Sequence, residues 1–268
     1  MTNCYLEANV ATSQFSYPFQ SGWVDTPEWL ILRDRVTDEF IDEDSCAFVD
    51  SIEATRHFET HSVVADVALV CTHRGPFVMR TTERPDEVQH ATVQLGECSQ
   101  AAEALARATI HHFYGIDVVD WNRSPQSSDV SILDEAEALT SHEDGYTEDL
   151  VRAWFILTSM SVPTHVFLAP TKKLESNQSE IKSIVKLLRD SLAQATERRR
   201  ELRRNISGDL GLDREHLTEL LGDQKPRLTK SGRKGWIDLA NRVRQSMSLP
   251  ASLNPDVVSF GMAREEQE

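Results

Sequence analysis

The chain has 268 residues, of which 40% are hydrophobic, and a formal net charge of −15 at pH 7. This length and apolar content are typical of a globular protein with one large domain or two lobes. The acidic balance disfavours nucleic acid as the main partner, and every apolar run is shorter than the roughly 18 residues of a membrane span. We therefore expect neither a nucleic-acid partner nor a membrane partner.

The first residues, "MTNCYLEANVATSQF", contain neither a basic segment nor an apolar one, so we expect no secretory signal and a cytosolic protein. The cysteines are widely spaced and form no CxxC pair: Cys4, Cys46, Cys71 and Cys98. This spacing predicts reduced, partly buried thiols rather than a metal site or a disulfide framework. We expect no metal site.

Strand and helix patterns then alternate along the chain. The segment "CAFVDSIEATRHF" predicts a short buried strand and a helix from about Ser51. Two β-rich runs, "VVADVALVC" and "FVMRTT", flank the turn "THRGP". The run "ATVQLG" predicts a strand, and helical spacing of apolar residues follows from Ser99 until Gly115, a typical helix C-cap.

Further along the chain, "DVSIL" predicts a strand, "EDLVRAWFILTSM" a helix and "VPTHVFLAP" a strand that ends at Pro170. After that point only helices are predicted, over about 175–204, 213–222 and 230–247. Alternating strands and helices predict a parallel, open α/β sheet. Sheets of this kind bind ligands beyond the carboxyl ends of their strands.

One such strand end, "VQLGECSQ", leads directly into a helix. Ser99 is a plausible N-cap, and the amides of residues 98–101 could hold a carboxylate or a phosphate. The alternative is an ordinary structural junction. The loop matches neither GxGxxG nor a Walker motif, which disfavours nucleotide phosphate.

The order of the segments resembles the menaquinone-biosynthesis family of the futalosine route, which includes the chorismate dehydratases. The matching segments are "AFVDSIE", Asp66–Pro76, "VQLGECSQAA", "DVSILDEAEAL" and "EDLVRAWFILTSMSVPTHVFLAP". Their family counterparts read "ALVPSIE", "DLAIASDGPV", "VALDxSSRTS", "DAxLLIGDxAL" and "DLGExWxxxTGLPFVFAVW". The resemblance runs from about residue 14 to residue 247.

This resemblance implies a two-lobed type II periplasmic-binding-protein-like α/β fold with a helical C-terminal segment. The first lobe would comprise residues 1–78 and 172–268, and the second lobe residues 79–171. It also implies cofactor-free elimination of water from chorismate, or from a related small anionic carboxylate held between the lobes. Orientation and electrostatics in a desolvated site would supply the catalysis.

Carried over position by position, the resemblance supplies most of the candidate site residues. Phe15 stands at the family's asparagine with Ser16 beside it, and Asp50 stands at a family proline. The candidate catalytic residues are Ser16, Asp50 and His73. The candidate ligand-binding residues are Ser51, Arg80, Thr81, Ser99 and Gln100.

Each candidate also has a purely structural interpretation. Ser51 could cap its helix, Asp50 could be an exposed carboxylate beside that cap, and Arg80 could be a solvated strand residue. His73 is a candidate acid or base because it precedes "RGP" at the lobe junction. Three hypotheses therefore stay open: a lyase of the chorismate dehydratase type, a binding protein without chemistry, and another enzyme on the same scaffold. The sequence does not predict an oligomeric state.

Overall fold

The strands of the protein lie in two sheets, in a computed structural model that describes residues 2–124, 128–140 and 145–261. The first sheet contains β1 (Cys4–Glu7), β2 (Leu30–Arg33), β3 (Cys46–Asp50), β4 (His61–Cys71), β10 (Val162–Pro170) and β11 (Val257–Val258). The second sheet contains β5 (Phe77–Thr81), β6 (His90–Gln94), β7 (Asp117–Asn122), β8 (Val130–Asp134) and β9 (Tyr146–Asp149). The strand orders are β11-β4-β10-β3-β1-β2 and β7-β6-β8-β5-β9.

Helices cover these sheets and form the C-terminal part of the chain. They are α1 (Ser13–Gln20), α2 (Ser51–Ala54), α3 (Gln100–Thr109), α4 (Glu135–Ala138), α5 (Leu150–Thr158), α6 (Thr171–Ser176), α7 (Gln178–Glu197), α8 (Arg199–Leu210), α9 (Arg214–Asp223) and α10 (Lys230–Val243). Helix α3 continues into a π-helical turn and ends at Gly115, whose φ of +74° confirms the predicted C-cap. Two α/β lobes followed by a helical segment are the architecture that the sequence predicts.

Strand direction differs from the wholly parallel sheet that the alternating pattern predicts. Strands β1, β2 and β3 are parallel, but β10 is antiparallel to both β3 and β4. In the second sheet β5 is antiparallel to β8 and β9. Both exceptions are strands next to a crossing between the lobes. An alternation of strands and helices does not reveal that the chain changes sheet there.

The second lobe is also shorter than the predicted range 79–171. Its sheet begins with β5 at Phe77 and ends with β9 at Asp149, and α5 follows. The predicted range also includes the apolar strand β10, which instead pairs with β3 and β4 of the first sheet. Its apolar composition identifies a buried strand without indicating the sheet to which it belongs. Met1 and residues 262–268 of the predicted first lobe lie outside the described residues.

The chain crosses between the lobes twice, at residues 72–76 and 159–161. The crossings lie side by side, since the hydroxyls of Thr72 and Ser161 are 2.9 Å apart. Asp149 accepts the amide N–H of Gly75 at 2.9 Å. Helix α10 packs on β10 at this junction, where a Cβ on Gly235 would lie 2.0 Å from the backbone oxygen of Ser161. The junction is therefore tightly packed.

All the cysteines are buried and unpaired: Cys4, Cys46, Cys71 and Cys98. This arrangement matches the reduced thiols expected from their spacing. Among the described residues, each helix is too short or too polar to cross a membrane.

Candidate functional site

Charged and polar side chains meet where the parallel strands β1, β2 and β3 end, opposite the end of β8. The carboxyl ends of parallel strands lie at one edge of a sheet, which is where α/β folds bind ligands. We call this group the cleft cluster; it consists of Glu7, Asn9, Arg35, Asp50, Asp134, Glu135 and His165.

Asp50 is the last residue of β3 and the N-cap of α2. Its Oδ1 accepts hydrogen bonds from the amides of Ile52 at 2.7 Å and Glu53 at 3.1 Å. Its Oδ2 accepts the amide N–H of Ala101, at the start of α3, at 2.8 Å. One buried carboxylate therefore joins the first turns of two helices that belong to different lobes. This bonding satisfies backbone donors that would otherwise be unpaired.

Ser99 is the N-cap of α3, as its sequence position predicts. Its Oγ accepts the amide N–H of Ala102 at 3.2 Å, and its own amide donates to Asp134 Oδ2 at 2.6 Å. The amides of Ser99 and Ala101, which the sequence suggested for an external anion, thus hold carboxylates of the chain itself. Gln100 lies between them, half-buried.

Arg35 connects the lobes on the open side of the cleft cluster. Its Nη2 lies 3.1 and 3.3 Å from the two carboxylate oxygens of Asp134 and 3.5 Å from Glu135 Oε1. Asn9 Nδ2 donates to Glu135 Oε1 at 3.1 Å and to Glu7 Oε1 at 3.0 Å. Arg35 is 37% exposed, so a ligand could reach the guanidinium.

Two cavities adjoin Glu135, one of about 480 Å³ and the other of about 500 Å³. Arg35, Asp134 and the loop of residues 94–98 line the first cavity. Asn9, Ser13 and Tyr17 line the second. Each volume lies in the range of small-molecule sites. Glu135 therefore faces the space that a ligand could occupy.

Three titratable groups of the cleft cluster have raised pKa values. Burial raises the pKa of Asp50 to about 6. Burial and the neighbouring Asp134 raise the pKa of Glu135 to about 7. Burial alone would lower the pKa of His165, but the nearby carboxylates of Glu7, Asp50 and Glu135 outweigh it and raise that pKa. Such groups can exchange protons near pH 7.

Ser51 and Ser16 are buried, but only Ser51 adjoins the cleft cluster. Its hydroxyl has no hydrogen-bond partner among the described residues, and its carbonyl accepts Trp236 Nε1 at 2.9 Å. The helix cap is Asp50 rather than Ser51. Ser16 lies within α1, where its hydroxyl is 3.3 Å from the carbonyl oxygen of Thr12.

Arg80 and Thr81 lie away from the cleft cluster. The antiparallel register of β5 and β8 sets Phe77 beside Asp134, and Thr81 beside Val130. Three residues along a strand correspond to about 10 Å, so Arg80 lies roughly that far from the Asp134 position. Both residues line a separate cavity of about 320 Å³ at the far end of the strands.

His73 lies at the first lobe crossing, exposed, with its ring 4.5 Å from that of Phe155. It lines a cavity of about 630 Å³ with Arg74 and Asp149. Its amide donates to Asp223 Oδ2 at 3.0 Å. Its structural surroundings are those of the junction, and the described structure gives it no bond to the cleft cluster.

Sequence reasoning missed most members of the cleft cluster: Glu7, Asn9, Arg35, Asp134, Glu135 and His165. Two of them carry a signal that could have been used. Glu7 follows the apolar run "CYL", and His165 interrupts the buried strand "VPTHVFLAP". A buried charged or titratable residue inside an apolar strand requires a partner, and that requirement points to a polar cluster.

Solved structures resemble the chain along most of its length. Protein AF1704 from Archaeoglobus fulgidus shares 16% identity, with a TM-score of 0.67 over 92% of this chain and 98% of that one. The periplasmic aliphatic sulphonate binding protein of Escherichia coli shares 10%, with a TM-score of 0.64 over 95% and 94%. A Candida albicans gene product with the generic periplasmic binding protein fold shares 13%, with a TM-score of 0.60 over 96% and 95%.

Comparison of the sequence with known protein families and with curated proteins finds no match in either case. At the identities above, the structural similarity establishes the fold and leaves the activity to be argued from the site. The chain has a type II periplasmic-binding-protein-like fold, with two α/β lobes on either side of a cleft.

Proposed function

We propose that the chain is a cytosolic, cofactor-free lyase that acts on a small carboxylate bound in the cleft, with chorismate as the first candidate substrate. The observation that carries this proposal is the position of Arg35 beside Glu135, 3.5 Å apart at the mouth of a cavity. Arginine binds carboxylates with two parallel hydrogen bonds. A carboxyl group whose pKa is near 7 can both accept and return a proton.

Arg35 would bind a substrate carboxylate in place of Asp134, which now holds the guanidinium. Glu135 would take a proton from the ring carbon next to the hydroxyl-bearing carbon. The electrons of that C–H bond would form the new double bond while the C–O bond breaks. The departing hydroxide would leave with the proton as water, so atoms and charge balance.

Two features support the cytosolic setting and the substrate class. The four cysteines are buried thiols, as in proteins of reducing compartments. The segment order that resembles the chorismate dehydratases includes the strand and helix that carry Asp134 and Glu135, within "DVSILDEAEAL". That segment supports chorismate as the substrate to test first.

A non-catalytic binding protein is the second candidate function. It is favoured by the carboxylates of Asp50 and Asp134, which already occupy the amides at the start of α3. Such internal bonds stabilise a closed cleft without requiring chemistry. A sulphonate-binding protein of Escherichia coli has the same fold and illustrates ligand capture on this scaffold.

The test follows chorismate loss and product formation by mass spectrometry, with Arg35→Gln and Glu135→Gln beside the wild type. We expect turnover above the spontaneous rate, a KM raised at least tenfold by Arg35→Gln and a kcat lowered about 100-fold or more by Glu135→Gln. Arg84→Gln and Glu43→Gln alter exposed ion pairs and should leave both parameters unchanged.

The outcomes separate the two candidates. No turnover together with a raised melting temperature in chorismate would favour the binding protein. Turnover that Glu135→Gln leaves unchanged would exclude Glu135 as the proton-transfer group. Neither turnover nor a thermal shift would exclude chorismate as the ligand.

A further inference from the structure

A second group of ligand-type side chains lies outside the cleft cluster, at the other end of α2. Asp38 begins the short 3₁₀ turn Asp38–Phe40, Glu53 lies in α2, and His57 ends the following 3₁₀ turn. One carboxylate oxygen of Asp38, one of Glu53 and one ring nitrogen of His57 all lie within 4.8 Å of one another. We call these three residues the α2 triad.

The buried histidine distinguishes the α2 triad from an ordinary acidic surface cluster. His57 is only 7% exposed, and its Nε2 has no hydrogen-bond partner in the part of the chain that the structure describes. That nitrogen lies 3.3 Å from Asp38 Oδ1 but outside hydrogen-bond geometry. Buried ring nitrogens are almost always satisfied. A ligand between the three side chains would satisfy this one.

We propose that the α2 triad binds a divalent transition metal ion, with Zn²⁺ the best fit, through Asp38, Glu53 and His57. Tetrahedral zinc with ligands at 2.0–2.1 Å holds neighbouring donor atoms about 3.3 Å apart, which matches the His57–Asp38 separation. Asp38 is 74% exposed, so its side chain can change rotamer as the site closes on the ion. Water would fill the fourth position.

The electrostatic balance also suits such an ion. Two carboxylates match the double charge of the ion. Arg56 is the opposing cation, with Nε 3.5 Å from Glu53 Oε2. That contact leaves Glu53 Oε1 for the metal, although this oxygen also accepts the Asp38 amide at 3.0 Å.

The donor set selects among metal classes. One imidazole and two carboxylates suit zinc and its first-row neighbours. Calcium takes six to eight oxygen ligands and magnesium a near-ideal octahedron of oxygens, which three side chains including a histidine do not provide. His61 is not a ligand, because its Nδ1 bonds with Thr60 and its Nε2 with the Ser45 carbonyl.

The bound ion would fasten the loop after β2 to α2. Glu53 lies on the same four-residue helix that Asp50 caps, so the metal would hold that helix near its C-terminal end. This role does not depend on the proposed lyase activity. Loss of the metal site and loss of turnover would therefore be observed separately.

The experiment titrates the full-length, metal-free chain, without a histidine tag, with Zn²⁺ by calorimetry and with Co²⁺ by visible absorption. We expect one high-affinity site per chain and the intense bands of four-coordinate Co²⁺. Asp38→Asn and His57→Gln should each weaken Zn²⁺ binding at least tenfold. Asp38 is exposed, so its variant should fold normally even if the buried His57→Gln does not.

A matched control addresses adventitious binding at the surface. His111 and His90 are exposed and lie 3.1 and 3.6 Å from the Asp117 carboxylate. His111→Gln should leave the high-affinity site intact. If His111→Gln abolishes binding while Asp38→Asn does not, or if the wild type binds no Zn²⁺ at micromolar concentrations, the proposed site is wrong.

Discussion

At the scale of single residues, Asp50 joins helices of both lobes through one side chain. Its two carboxylate oxygens accept three backbone N–H groups, two from α2 and one from α3. The first helix belongs to one lobe and the second helix to the other. The side chain therefore stabilises a local cap and the contact between lobes together.

Replacement of Asp50 by asparagine should destabilise the protein by about 1–3 kcal/mol. An asparagine oxygen can still cap α2, but its amide nitrogen would then face the N–H of Ala101, donor against donor. Chemical denaturation at pH 7 would measure the change. Asp42→Asn is the control, because Asp42 accepts a single exposed amide. Equal stability of both variants would contradict the bridging role.

Part of the candidate site is predictable from local sequence. Ser99 is predictable because a strand end that precedes a helix is recognisable from residue type, whereas Asp50 and Ser51 are supplied by the resemblance. Arg35 was missed because it lies in a loop without periodicity. His165 was missed because the strand around it is apolar throughout, so the pattern indicates burial and conceals a polar partner. The resemblance predicts Arg80 as a ligand-binding residue, but the structure places it away from the cleft cluster. Strand register decides this position, and register cannot be predicted from the local sequence.

At the scale of elements, helix α10 packs closely on the first sheet because Gly235 has no side chain. Among the glycines that the structure describes, a Cβ at this position would have the shortest contact. A Cβ at Gly235 would lie 2.0 Å from the Ser161 oxygen, which is a backbone atom in a lobe crossing. In contrast, a Cβ at Gly208 in α8 would meet nothing within 4 Å. Packing therefore requires a glycine at position 235, whereas the space around position 208 would accept a side chain.

These glycines should respond oppositely to substitution by alanine. Gly235→Ala should lower the free energy of unfolding by about 2 kcal/mol or more, because the helix must move off β10. Gly208→Ala should raise it by about 0.5–1 kcal/mol through helix propensity. Thermal and urea denaturation of the two variants would measure both changes. Destabilisation by Gly208→Ala, or a neutral Gly235→Ala, would contradict this packing.

At the scale of the whole molecule, buried carboxyl groups concentrate around the region between the lobes. Burial raises the pKa of Asp149 to about 6, as it does for Asp50, and that of Glu135 rises to about 7. At these three carboxyl groups the folded protein therefore binds more protons than the unfolded chain between about pH 4 and pH 7. Linkage requires that their contribution to stability decrease as pH rises through this window.

The contribution of Asp149 can be isolated. A shift of about two pKa units corresponds to roughly 3 kcal/mol at most, present below about pH 4 and lost as pH rises through 6. Asp149→Asn removes this titration, so the wild type should lose stability relative to the variant between pH 4 and pH 6.5. Denaturation curves at several pH values would measure it. Asp86→Asn, at an exposed residue, should give a profile parallel to the wild type. A parallel profile for Asp149→Asn would contradict the raised pKa.

The two lobes themselves were predictable from the order of the segments, and the solved structures with the same fold agree. The residue at which the chain returns from the second lobe to the first sheet was not predictable. Strand β10 reads as a buried strand in either lobe, and its neighbours β3 and β4 are far from it in the sequence. Contacts of that range depend on the whole fold rather than on local residue types.

The position of β10 between β3 and β4 constrains the order in which the two sheets can be completed during translation. Strands β3 and β4 leave the ribosome early, but their shared neighbour is completed only at Pro170. The segment from β5 to α5 is continuous and emerges whole before then. The second lobe can therefore fold during synthesis while the first sheet still lacks a central strand. Until β10 arrives, β3 and β4 present unpaired edges, and chaperone binding would be concentrated on that interval of translation.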